Sequence, residues 1–146
     1  MCLHVNADTK IKVAKEDIVC YKVIIEDFES DGMCIWRSPY QGMIYEKGHV
    51  YILGEQLKLL QSSHKKYPYR IEEGFHSFTN LSDALVFLNS FEAECISMGM
   101  NFKSIIVKCT IPKGTTYVEG LFYSCGTRFH SFCSEKIVCE GKVENE

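Results

Sequence analysis

The chain has no C-x-x-C pair, although eight of its 146 residues are cysteine. That absence removes the usual opening knuckle of a compact zinc site. Proline is scarce: Pro39, Pro68 and Pro112 sit at loop positions, and no Pro/Ser-rich linker, repeat or low-complexity stretch occurs. Neither a tandem array nor a two-domain chain is therefore expected. No apolar run exceeds a few residues, which excludes a membrane-spanning helix. The stretch Met1 to Asp8 lacks the apolar core of a signal peptide, so a cytoplasmic protein with reduced thiols is expected. Most of those thiols should behave as small buried apolar groups. A basic excess is missing too. The formal charge of −3 argues against general nucleic-acid binding. The one basic run, His64 to Arg70, leads straight into Glu72 and Glu73 and reads as a solvated loop.

What is present suits one soluble domain: 46% hydrophobic and 24% charged residues. Only the ends look loose, residues 1–14 and the acidic tail 140–146. Asp17 to Ile25 is rich in β-branched residues and predicts a central strand. Met33 to Trp36 predicts a second. Met43–Tyr45 and Val50–Ile52 flank Glu46-Lys47-Gly48-His49 like the arms of a hairpin. Residues 55–62 suggest a short helix. A longer helix over 81–98 is much better specified, with Leu81, Ala84, Leu85, Leu88, Phe91, Cys95 and Met98 spaced by threes and fours. Thr79 or Asn80 can cap its start and Gly99 its end. Ser104 to Ile111 alternates, with Ile105, Val107, Cys109 and Ile111 on one face. Thr116–Val118 and a last strand near Phe132–Cys139 complete the reading. The expected fold is α+β: a mostly antiparallel twisted sheet with one dominant packed helix.

The most pointed segment is Glu73 to Asn80, a strand that ends on polar residues and hands over to the capped helix. His76, Ser77 and Thr79 there are candidate ligand-binding residues, since a helix start also offers unpaired N–H groups to an anion. The alternative is that Ser77, Thr79 and Asn80 only cap the helix while His76 makes a structural hydrogen bond. Tyr21 and Lys22 pose a similar choice: lysine inside an apolar strand faces solvent or reaches a cleft. Glu135, read inside the last strand, poses it with the opposite charge. Cys125, His130, Cys133 and Cys139 have the right donors for zinc, but in the spacing C-x4-H-x2-C-x5-C, and no metal is expected. Cys2 would be a self-activated nucleophile only if it became N-terminal.

Lys15-Glu16-Asp17-Ile18-Val19-Cys20-Tyr21-Lys22, Ser38-Pro39-Tyr40-Gln41-Gly42, Glu73-Gly74-Phe75-His76-Ser77, Ile111-Pro112-Lys113-Gly114-Thr115 and Ser134-Glu135-Lys136-Ile137, with the Met1-Cys2-Leu3 start, resemble a group of small bacterial and phage-encoded proteins of unassigned activity. The order of an aromatic-plus-cation strand, a Ser/Thr-bearing strand end running into a helix, an Ile-Pro-Lys-Gly-Thr segment and a late Glu is also similar to ADP-ribosyltransferases. That resemblance implies an NAD cleft served by Tyr21 and Lys22, by Ser77 and Thr79, and by Glu135 as the catalytic residue that polarises the ribose. Lys22 stands where that family has Arg or His, and Ser77-Phe78-Thr79 only approximates its Ser-Thr-Ser motif. The expectation is a small binding module for a nucleotide-like molecule or a protein partner, without a cofactor. The alternatives are an NAD-dependent transferase and a structural or host-interaction protein of phage origin.

Overall fold

The computed structural model describes residues 3–39, 42–124 and 126–144. Readings that involve Met1, Cys2, Tyr40, Gln41, Cys125, Asn145 or Glu146 lie outside them. In chain order the strands are β1 (Leu3–Val5), β2 (Lys12–Val13), β3 (Ile18–Phe28), β4 (Cys34–Arg37), β5 (Ile44–Tyr45), β6 (Val50–Ile52), β7 (Leu60–Gln61), β8 (Tyr69–Ile71) and β9 (Phe75–Phe78). The helix α1 (Leu81–Ser97) follows, then β10 (Lys103–Ile111), β11 (Thr116–Ser124), β12 (Thr127–Ser134) and β13 (Lys136–Lys142). Among the described residues α1 is the one helix, so the chain is richer in sheet than a balanced α+β fold. That helix, 17 residues long, is also too short to cross a membrane.

All pairings are antiparallel, in the order β6-β13-β10-β3-β9-β12-β11-β1-β8-β7. The weak point of this ladder is its centre. β10 and β3 pair over nine positions, whereas β3 and β9 share one, Tyr21 opposite Phe78. Beyond that pair the two strands part. β12 and β13 belong to opposite sides of the parting yet are joined by a single residue, Glu135. The sheet must therefore fold over, and a core cluster with residues from both halves fills the fold: Cys20, Ile24, Val107, Cys109, Ile137 and Cys139 from one side, Phe75 and Phe132 from the other.

On the opposite face of β3, Val23 and Ile25 pack with Phe78, Ile106, Phe122, Phe129 and α1. Ala84, Phe87, Leu88, Phe91 and Cys95 are the helix's buried stripe. Leu81 and Leu85 are half-buried at its edge, and Met98 is exposed because it is already the C-cap. Phe87 was not in the expected stripe; it stacks on Phe91 and meets Phe78, Phe122 and Phe129. Asn80, not Thr79, caps the start: its Oδ1 accepts the Asp83 N–H at 2.7 Å. At the other end Gly99 adopts φ +75°, and the Gly99 and Met100 N–H groups donate to Ile96 and Cys95 carbonyls, a Schellman closure. Asn80→Ala should lower unfolding free energy by about 1 kcal/mol in urea titration; an unchanged midpoint would deny the cap any weight.

Four local expectations are corrected. Residues 55–62 are not a helix: Leu57 is buried, and Leu60–Gln61 pairs with β8. β5 and β6 do not form a hairpin; β5 pairs with β4 and β6 with β13, while Tyr45 and Tyr51 touch edge to face. Within the segments expected to be loose, Leu3–Val5 is a strand whose Leu3 and Val5 are fully buried between β8 and β11, and β13 runs on into the acidic tail as far as Lys142. The single late strand is two, with Glu135 at the bend between them rather than inside a strand.

Candidate functional site

Alternation along β3 sends Cys20, Lys22 and Ile24 into the folded-over core and Tyr21, Val23 and Ile25 toward α1. Lys22 thus enters an apolar interior and is 8% exposed. Its Nζ crosses the parting and donates to the His76 carbonyl oxygen of β9. It also stands 5.2 Å from the centre of the Tyr45 ring. Among the described residues no carboxylate pairs with it; the ion pairs are Arg37–Asp27, Arg70–Glu72, Lys103–Glu26 and Lys142–Glu26, all elsewhere. Burial is the largest single influence and works against the ammonium, which the Tyr45 ring and the other neighbours nonetheless hold protonated. Lys22 is therefore a buried cation whose nearest partners are a carbonyl and a ring.

His76 is buried beside it. Its Nε2 lies 3.4 Å from the Glu72 carbonyl and 3.9 Å from Cys133 Sγ. A carbonyl accepts only, so the proton sits on Nε2 and Nδ1 presents a lone pair. Nδ1 is buried without a hydrogen-bond partner, and so is Ser77 Oγ. Ser77 Oγ is nonetheless close enough to the Cys20 thiol to act on its ionisation. Burial first, and then the Lys22 charge, push the imidazole down to about 4, so it is neutral at pH 7. Burial pushes the Cys133 thiol up to about 12. Cys133 is an uncharged neighbour.

These groups surround a hollow at the parting of β3 and β9, walled by Lys22, His76, Ser77, Ser38, Pro39 and Ser131, with Phe87 behind. Its volume of about 30 Å³ holds roughly one or two waters. Larger hollows lie elsewhere. One of about 260 Å³ is lined by Glu55, Glu72 and Glu73, where Glu55 raises the Glu73 carboxyl. It has the wrong sign for an anion.

Of the sequence candidates, Lys22, His76 and Ser77 come together. Tyr21 does not line their hollow; it faces the other side of β3 and borders an open groove with Leu81, Lys108 and Lys142. Thr79 is outside it as well, its N–H donating to the His130 carbonyl and its Oγ1 accepting from Asn80. The helix start is no open anion cradle, because Asn80 and the Asp83 carboxylate already occupy it, the latter accepting the His130 N–H at 2.8 Å. Glu135 lies at the bend, its backbone tied to Thr116 and Leu53, and it does not line the hollow. Cys133 and Cys139, read as one face of one strand, lie on different strands in different core clusters. Among the described residues no group of three or more His, Cys, Asp or Glu side chains could hold a metal. Ser38, Pro39, Ser131 and Tyr45 carried no signal of a site role in the sequence: pairing places Ser131 and Tyr45, and Ser38 and Pro39 follow directly on β4.

A scan of family models, a search of curated proteins and a search of solved structures each find nothing that matches this chain.

Proposed function

We propose that the protein is a cytoplasmic binding module, and that the hollow between β3 and β9 takes the anionic end of a nucleotide-like molecule. One observation carries the reading: Lys22 is a charged, buried ammonium without a carboxylate partner among the described residues. A buried charge without a counterion costs several kcal/mol, a cost that an incoming phosphate or carboxylate would offset. The Nδ1 lone pair of His76 and the hydroxyl of Ser77 are open to a neighbouring hydroxyl or amide of the same ligand. The small volume means that the ligand enters by one group, with its remainder over the Ser38–Pro39 rim.

Thermal unfolding with NAD, cyclic dinucleotides and mononucleotides tests this. A ligand that binds only the folded state adds about 2.7 kcal/mol at a hundred times its dissociation constant. The wild type should shift with at least one of these ligands, and His76→Ala should reduce that shift. No shift with any of them would remove the binding reading and leave a structural or interaction role.

An NAD-dependent transferase is the second reading. What favours it is that Lys22 of the first long strand and Ser77 of the strand before the helix share one hollow, as the resemblance to ADP-ribosyltransferases implies. Glu135 would polarise the ribose during transfer. Nicotinamide release from NAD that Glu135→Gln abolishes, with affinity retained, would select this reading. Release unaffected by that change would discard it.

A further inference from the structure

Three cysteines far apart in the sequence share one row of the sheet. Cys20 of β3 stands in register with Cys109 of β10, and Cys109 with Cys139 of β13. All three are fully buried. Cys109 Sγ lies 3.5 Å from Cys139 Sγ. The pairing depends on a bulge: Lys108 opposes Gly141 but Cys109 opposes Cys139, so the register skips Glu140. Without that irregularity Glu140 would face Cys109. Directly opposed residues in antiparallel strands have Cα atoms about 4.5–5.5 Å apart, within the span of about 4.4–6.8 Å that a disulfide bridges. To bond, the two sulfurs must close from 3.5 Å to about 2.05 Å.

We propose that Cys109 and Cys139 are a redox pair that closes to a reversible disulfide under peroxide. Neither cysteine lines the hollow assigned to the ligand. Cys139 is the attacking sulfur: the hydrogen bond from Cys109, aided by the Lys22 charge, outweighs burial and holds its thiol below the ordinary range. Cys109 keeps its proton, raised by the same contact and by burial. Cys20 is the spectator, pushed up to about 11 by burial. The Cys139 thiolate attacks one oxygen of hydrogen peroxide, the O–O bond breaks, and hydroxide leaves, giving a sulfenic acid. Cys109 then gives up its proton and its sulfur attacks Cys139 sulfur; the S–O bond breaks and the departing hydroxide becomes water. Two thiols lose two electrons and two protons, and one peroxide becomes two waters.

The test uses the full reduced chain. After graded hydrogen peroxide, free thiols are alkylated in denaturant, and non-reduced peptides are mapped by mass. The expected product links the Cys109 and Cys139 peptides with the loss of two hydrogens, disappears with dithiothreitol, and persists in Cys34→Ser. Exposed Cys34 provides an internal clock, because it should be consumed before the buried pair. The proposal is overturned if Cys109 and Cys139 remain alkylatable after Cys34 is spent, or if the bridge found is Cys20–Cys109. Mapping the unmutated chain makes the outcome independent of whether a cysteine variant folds.

Discussion

Between pH 6.5 and about 4 the protein is expected to lose stability through His76. In the unfolded chain the imidazole takes its proton near pH 6.5; in the folded protein burial and the Lys22 charge delay that to about pH 4. Across this window the unfolded state binds more protons, so unfolding free energy falls as pH falls. Above the window both states are neutral and the effect is absent; below it the loss is complete. At about 1.4 kcal/mol per pKa unit the gap amounts to roughly 3 kcal/mol. His76→Gln keeps a polar group near the Glu72 carbonyl and does not titrate. Urea unfolding of both proteins at pH 7, 5.5 and 4 isolates the residue, because His4, whose pKa is also lowered by burial, and the depressed Glu26 carboxylate contribute equally to each. The wild type should be penalised relative to the variant at pH 4 by that amount. Parallel curves would mean that His76 is solvated and lines no dry site.

The elements that periodicity specifies are those whose partners do not need to be known. Val107, Cys109 and Ile111 share a face on alternation alone, and α1 was legible because Ala84, Leu88, Phe91 and Cys95 repeat at its pitch. Pairing was not legible. Glu46 to His49 looks like a hairpin loop, but nothing in it says that β5 prefers β4 and β6 prefers β13. Glu135 bends the chain in one residue, which leaves no glycine or proline to mark it. The site followed the same division. Lys22, His76 and Ser77 stood out as polar residues in apolar strands. Tyr21 went astray because adjacent strand residues face opposite sides, so a Tyr-Lys pair serves one cleft with only one member. The Cys20–Cys109–Cys139 row was invisible, since it exists only once the register and its bulge are set.

Lys22→Met is expected to make the protein more stable and unable to bind. Methionine fills the same channel between Cys20 and Ile24 without a charge, and burying an ammonium costs several kcal/mol before compensation. The change also leaves the His76 carbonyl without its donor, a loss of about 1–3 kcal/mol. The desolvation term is the larger, so the net gain should be on the order of 1–2 kcal/mol, or a rise in Tm of roughly 2–8 °C at this size. Any ligand-induced shift seen with the wild type should vanish, because the group that meets the anion is gone. The opposite outcome has a definite meaning. If Lys22→Met melts several degrees lower while keeping its far-UV spectrum, the Nζ bond to His76 is a structural tie across the one-pair junction of β3 and β9. Lys22 would then be a clamp for the fold-over and the anion site would lose its principal residue. Stability traded for binding at one buried cation is what separates a site from a strut, and one pair of melting curves distinguishes them.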